Sequence, residues 1–498
     1  MKKILIVDYG SQYTQLIAKK IRNMNVYCEI VSYLSCKINN DIYGVILSGG
    51  PESVIENNSH LSIKNISVPV LGICYGAQYI AKEFGGDISN NKNGEYGNTK
   101  INIIEKDKLT ENIDNNVDVW MSHNDTICTL PNTFKIISKT NNNKICIFNY
   151  KNFYGVQFHP EVSHTICGNT IFENYINICN IPREWTPTNF ISNSITEIRK
   201  KLENSDSKVI CALSGGVDST IAAHLVHKAI GNRLMPIIIN NGLMRKNEYA
   251  YVLEYCKSFN MNVIGIDKSQ LFYDNMKDVI DPEQKRKVIG KLFIDIFSEV
   301  ATENNIQFLV QGTIYPDVIE SISGVGKIKS HHNVGGLPEK MNLKLIEPLR
   351  LLFKDEVRKI GLELNIPEDI IYRHPFPGPG LALRILGEVT SKKVKILQEA
   401  DNIYILKLKE YNLYDKIWQA GAILLPVKSV GVMGDKRTYE NVIALRAVES
   451  IDGMTADWYE FRKDFLSDVS NTIINNVDGI NRVVYDISSK PPATIEWE

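Results

Sequence analysis

The chain has 498 residues, 44% of them hydrophobic and 23% charged, with a formal net charge of −1. That composition fits a globular protein of about three domains at ~150 residues each, and the charge gives no electrostatic argument for nucleic acid or an anionic membrane as main partner. Nine cysteines without framework spacing or a C-x-x-C pair argue against a disulfide scaffold or zinc module, and no apolar run approaches the ~18 residues of a membrane span, so a cytoplasmic protein is expected.

In chain order, KILIVDYG predicts a buried strand and turn, YTQLIAKKIRNM a helix, YGVILSGG a strand and turn, and VPVLGICYG a strand ending in a sharp turn. Asp8 ends the first apolar run too early for a signal peptide. The Asn-rich SNNKN at 89–93 and TNNNK at 140–144 read as surface loops. NIPREWTPTNF, with Pro182 and Pro187, reads as a linker. A second run of strand-like segments follows: KVICALSGG, MPIIINNG, NVIGID and FLVQGT, each ending in polar or glycine-rich residues. HPFPGPG at 374–380 marks another boundary, and the remainder mixes helix and strand less regularly. The expected architecture is α/β, with two parallel-sheet α/β domains (1–182 and 183–373) and a smaller α+β domain (374–498).

Within LGICYGAQ, Gly72 and Gly76 flank Cys74 at two residues on each side. A core cysteine needs no such neighbours. A nucleophile pushed out at the tip of a strand-to-helix turn does, because only glycine leaves room for the crossing backbone. GVQFHPE supplies a base: the proline keeps His159 extended, so His159 and Glu161 project to the same side. Cys74, His159 and Glu161 then form a nucleophile, base and orienting carboxylate. LSGGPESV adds glycine N–H groups suited to an oxyanion hole. Considered singly, each could be a core cysteine, a strand-end histidine or an ordinary turn.

GICYGAQ, SGGP and GVQFHPE together resemble the class I glutamine amidotransferase family, which hydrolyses glutamine to glutamate and ammonia. The resemblance implies that Cys74 is the nucleophile, His159 the general base and acid, and Glu161 the orienter. It also implies that Gly49 and Tyr75 offer oxyanion N–H groups and that Gln78 lies near the substrate. The family's S-H-G-D loop reads MSHNDT here, with Asn124 at the glycine position.

VICALSGGVDST runs a strand into a glycine loop and then a helix. Exposed backbone N–H groups, the helix N-terminus and the hydroxyls of Ser214, Ser219 and Thr220 make a phosphate cradle. It is not a Walker A loop; no lysine stands beside it, and Asp218 suggests a Mg²⁺ counterion. The loop resembles that of the ATP pyrophosphatase family, which places AMP on a substrate oxygen so that a second nucleophile can displace it. The resemblance implies that Ser214, Gly215, Gly216, Val217, Asp218, Ser219 and Thr220 bind ATP, with Mg²⁺ as cofactor. Ammonia from the first domain is then the obvious second nucleophile, delivered unprotonated through an internal passage.

GTIYPDVIES, HHNVGGLP, RHPFPGPGLALRILGEV and KPPATIEWE resemble the glutamine-hydrolysing GMP synthase family over essentially the whole chain. The implied acceptor is xanthosine 5′-monophosphate (XMP), and the implied third domain a dimerisation domain, making the chain a homodimer. Arg286, Gln419, Lys490, Ile495 and Glu496 are the implied XMP-binding residues; Arg286 and Lys490 suit a phosphate and Glu496 a purine N–H. HHNVGGLP suits a lid, although KPPATIEWE at a chain end is ordinarily a frayed tail and KRK around Arg286 a solvated helix face. Other amidating enzymes are disfavoured because Cys74 is an internal elbow. An RNA-modifying protein is disfavoured by the charge, and a silent glutamine-binding module by the complete triad.

Overall fold

The computed structural model describes residues 1–56, 61–322, 343–450, 453 and 455–498. They form two compact units, Met1–Phe190 and Ile191–Glu498.

The first unit is built on β1 (Lys3–Asp8), β2 (Cys28–Ser32), β3 (Ile42–Leu47), β4 (Val70–Ile73), β5 (Asp87–Ile103), β6 (Asn116–Thr129), β7 (Lys135–Thr140), β8 (Ile145–Tyr150) and β9 (Phe153–Val156). Their order in the sheet is β2-β1-β3-β4-β9-β8-β7-β5-β6. The half from β2 to β9 is parallel, as expected. The sheet then continues antiparallel to β6. Strands such as VLGI of β4 are buried along their whole length, so an unbroken apolar run, rather than alternation, forms them.

The SNNKN segment is not a loop: residues 89–93 lie within β5. The ladder with β6 overrides the turn preference of asparagine, and the conflict surfaces as a register slip between Asn90 and Glu95. TNNNK does turn the chain between β7 and β8, with Asn143 at φ 61°. In the linker, Trp185 is buried against Tyr27 at a ring-centroid distance of 4.6 Å. Pro187 opens the helix Pro187–Lys201, a first-turn position where its missing N–H costs nothing.

The second unit carries a parallel sheet of β10 (Val209–Ala212), β11 (Leu234–Asn240), β12 (Ile264–Asp267), β13 (Phe308–Val310) and β14 (Lys344–Ile346), in the order β12-β11-β10-β13-β14. β14 is as long as β13, but only its Ile346 is buried, so it lacks the unbroken apolar run that marks β13 in the sequence. A further sheet pairs β15 (Gln419–Met433) with β16 (Lys436–Glu449), which also pairs β17 (Asp457–Trp458) and, in parallel, β18 (Ile480–Tyr485). One apolar core runs from Ile210 of β10 through Leu381 and Tyr404 to Ile480 of β18. The proline-rich segment at 374–380 therefore leads directly into that core, with Leu381 and Ala382 fully buried. Among the described residues no helix is long and apolar enough to cross a membrane, and the nine cysteines are free.

Candidate functional site

Cys74 sits between β4 and the helix Tyr75–Glu83 with φ 50° and ψ −104°, a conformation that strains any residue with a Cβ. The glycines around it are sterically required. A Cβ on Gly76 would lie 2.3 Å from Leu47 O, and one on Gly72 2.5 Å from Gly76 C. Cys74 N donates to Val156 O at 2.8 Å, pinning the elbow to β9, the strand that leads to His159.

The three predicted catalytic residues come together. His159 and Glu161 are 4% and 2% exposed, and His159 Nδ1 lies 2.7 Å from Glu161 Oε1. Burial alone would lower the imidazole pKa. Hydrogen bonds to Cys74 and Glu161 outweigh it and raise the value to about 11, so the ring keeps its proton at neutral pH. The backbone of His159 is further fixed by His159 N to Trp120 O at 3.0 Å and by Thr165 Oγ1 to His159 O at 2.7 Å. Gly49 faces the ring: a Cβ there would lie 3.2 Å from His159 Cε1. Tyr75 is the first residue of the elbow helix. Gln78 is 3% exposed and donates through Nε2 to Asp125 O at 2.8 Å, so its amide braces the 122–125 segment. That segment accepts the Cys74 thiol at Ser122 O, 3.6 Å away. Asn124 needs no glycine-like backbone: it stays in β6, exposed, and its side chain accepts from Tyr96 OH.

The predicted ATP loop joins β10 to the helix Val217–Ile230, with Gly215 at φ +75° and Gly216 capping the helix. Its hydroxyls are turned onto the loop. Ser219 Oγ and Thr220 Oγ1 donate to Gly216 O at 3.0 and 2.9 Å, and Ser214 Oγ lies 3.1 Å from Ser219 Oγ. Two distant cations also reach the cradle, and local sequence spacing gave no signal for either. Lys354 Nζ sits 2.7 Å from both oxygens of Asp218. Arg373 donates to Gly215 O at 2.8 Å and pairs with Glu248. The expectation that no lysine serves this loop is thus corrected; Lys354 arrives from a helix 136 residues downstream. As it stands, Asp218 holds an ammonium where a metal was expected. Among the described residues, no group of three or more His, Cys, Asp or Glu could hold a metal ion.

The chain terminus is not frayed. Arg446 binds Ser488 O and Thr494 O at 2.6 and 3.1 Å, Arg384 binds Glu496, and Lys285 pairs with Glu498. Glu496 and Gln419 are brought together, side chain to side chain. Lys490 is in the same tail with Nζ 2.7 Å from Gly453 O, and Ile495 is half-buried. Arg286 pairs with Glu283 at 2.8 Å, one turn away on its own helix. The HHNVGGLP segment lies outside the described residues.

Family models match the chain in three places. They are described as glutamine amidotransferase class-I over 5–178, NAD synthase over 190–313 and GMP synthase C terminal domain over 406–497. Curated relatives match from end to end. Those from Cytophaga hutchinsonii and Chlorobium chlorochromatii, both named glutamine-hydrolyzing GMP synthase, are each 54% identical over 100% of both chains. One of that name from Aquifex aeolicus is 52% identical over 100% of this chain and 99% of its own. The chain belongs to the glutamine-hydrolysing GMP synthase family.

Proposed function

We propose that the chain converts XMP to GMP with glutamine and ATP, through an adenylyl-XMP intermediate, releasing AMP, pyrophosphate and glutamate. One observation carries this: a single chain holds both a buried Cys74–His159–Glu161 constellation at a strained elbow and a strand–loop–helix phosphate cradle.

In the glutaminase half, Cys74 Sγ attacks the glutamine carboxamide carbon. The negative charge on its oxygen is met by the N–H groups of Gly49 and Tyr75. His159 takes the Cys74 thiol proton, holds it through its contacts with Cys74 and Glu161, and gives it to the departing amide nitrogen, which leaves as ammonia. The γ-glutamyl thioester is then hydrolysed by water, with His159 as base. Glu161 holds the ring, and Gln78 sets the wall of the substrate pocket through Asp125.

In the synthetase half, Ser214, Gly215, Gly216, Val217, Asp218, Ser219 and Thr220 bind the ATP phosphates. The bonds from Ser219 and Thr220 to Gly216 O are exchanged for bonds to phosphate oxygens. Lys354 is the phosphate-directed cation missing from the local motif. The XMP oxygen attacks the α-phosphate and pyrophosphate leaves; ammonia then displaces AMP. A Mg²⁺ ion that arrives with ATP needs only one or two protein carboxylates, because phosphates and water complete its shell. Asp218 is the carboxylate that would hold it, and the ion would neutralise the leaving pyrophosphate. Arg286 and Lys490 serve the XMP phosphate, Gln419, Ile495 and Glu496 the nucleoside.

The domain division at 182/183 and 373/374, a cytoplasmic location and the absence of nucleic-acid or membrane partners belong to the same reading. A homodimer is supported by the far end of the β15–β16 hairpin, where Val430, Val432, Met433 and Tyr439 are exposed on adjacent strands. Incubation of the pure chain with ATP, Mg²⁺, XMP and ammonium salts tests the synthetase half by itself. Release of GMP and pyrophosphate in equal amounts is expected, and absence of GMP would refute the acceptor.

A further inference from the structure

Arg384 is 2% exposed, yet it carries a full positive charge into the core. Its Nε donates to Glu496 Oε2 at 2.9 Å and its Nη2 to Glu496 Oε1 at 2.7 Å, a bidentate fork. Nη1 faces Asp401 Oδ1 at 3.5 Å, and the guanidinium lies over the Phe376 ring at 5.1 Å. The space is made by a neighbour: a Cβ on Gly421 would lie 2.1 Å from Arg384 Nη1. A buried ion pair is often no more stabilising than apolar groups of the same volume. A slot kept open by a strand glycine for such a pair therefore calls for a purpose beyond stability.

The purpose follows from the lone pairs. Glu496 Oε1 receives Arg384 Nη2 and Gln419 Nε2, which fills it, while Oε2 receives Arg384 Nε and keeps one acceptor site. Gln419 Nε2 also donates to Pro375 O at 3.1 Å. Both neighbours of that nitrogen are acceptors, so the amide orientation is fixed and its oxygen is turned away from them. With the bonds made among the described residues, what this cluster has left to offer a ligand is acceptors, one on each residue. A phosphate is a poor occupant; N–H or O–H groups suit it.

We propose that Arg384 is a positioning residue for the acceptor nucleotide: it locks Glu496, and through it Gln419, as paired acceptors for the ring N–H groups of a 2-oxopurine. This rests on the assignment of Gln419 and Glu496 to XMP binding made above. Asp401 completes the brace from behind. It accepts from Ala422 N at 3.0 Å and pairs with Arg245 Nε at 3.1 Å, so it remains compensated when Arg384 is removed.

The test is steady-state kinetics of the full chain with ATP and ammonium salts while XMP is varied. The variants are Glu496→Gln, Gln419→Ala, Arg384→Met and the double Arg384→Met/Glu496→Gln, with circular dichroism as the check on folding. Loss of a hydrogen bond to a charged group predicts a rise of ~10-fold or more in the KM for XMP in each single variant, far exceeding any change for ATP. The double variant is expected to be no worse than Glu496→Gln, because Arg384 acts through that carboxylate. If Glu496→Gln and Gln419→Ala leave the KM for XMP unchanged, the assignment of the acceptor site fails. If they raise it but folded Arg384→Met does not, or the double variant multiplies the two losses, the positioning role is overturned. Should Arg384→Met not fold, Gly421→Ala, which displaces the guanidinium without altering charge, decides by the same criterion.

Discussion

At the scale of single residues, backbone strain and charge meet at Cys74. A non-glycine residue at φ 50° costs on the order of 1–3 kcal/mol, and the elbow is held by the bonds and contacts of its neighbours. Gly76→Ala would press a Cβ to 2.3 Å from Leu47 O; we expect loss of glutamine-dependent turnover and a lower melting temperature, measured by differential scanning calorimetry. Cys74→Ala should abolish glutamine-dependent GMP formation, by ~10³-fold or more, while ammonium-dependent formation survives. Loss of both would refute independent chemistry in the two halves.

His159 gives a prediction in pH. Its folded pKa, about 11, lies above the ordinary value of 6.5, so stabilisation from its contacts is fully present below pH 6.5 and is lost as the pH rises through about 11. In the intact chain NMR should find this ring protonated at neutral pH. Removing Cys74 should move the midpoint down, and an unchanged midpoint would show that Cys74 contributes nothing. These residues were legible in the sequence because each needs a particular neighbour at a fixed short spacing: Gly72 and Gly76 about Cys74, Glu161 after His159. Lys354, Arg373 and Arg384 were not identified, because their partners are 136, 158 and 112 residues away. Lys354→Ala should weaken ATP use in both glutamine- and ammonium-driven assays, by ~10-fold or more, without altering glutamine hydrolysis. A KM for ATP unchanged in that variant would remove Lys354 from the phosphate site.

At the scale of elements, pattern found the buried parallel strands and missed those defined by pairing. An unbroken apolar run such as VLGI declares its burial on both faces. The 89–93 segment does not: its Asn-rich sequence has the composition of a turn, yet it lies within β5, where Ser89 and Asn90 pair with β6. KPPATIEWE shows the same limit. Its docking depends on Arg384 and Arg446, which lie on other elements. The β15–β16 hairpin carries the element-level prediction. Val432 is 74% exposed near its tip, far more than its apolar side chain favours in a monomer. Val432→Asp should shift the protein towards monomer in analytical ultracentrifugation. A wild-type chain that sediments as a monomer would exclude the dimer altogether.

At the scale of the molecule, length and composition pointed to three domains, whereas the chain packs into two compact units. The proline-rich segment at 374–380 has the composition of a boundary, yet Leu381 and Ala382 immediately after it belong to the same apolar core as Ile210 and Ile480. Loop chemistry is local, whereas a shared core is a property of tertiary packing that no short window records. The division of labour between the halves was nevertheless readable, because an amide-cleaving cysteine and a phosphate cradle in one chain imply that ammonia from one reaction feeds the other. The most direct test is one mixture of the intact chain with ATP, Mg²⁺, XMP and glutamine, followed for GMP, pyrophosphate and glutamate. The account predicts all three in equal amounts. Glutamate without GMP, or ATP cleavage between the β and γ phosphates, would contradict it.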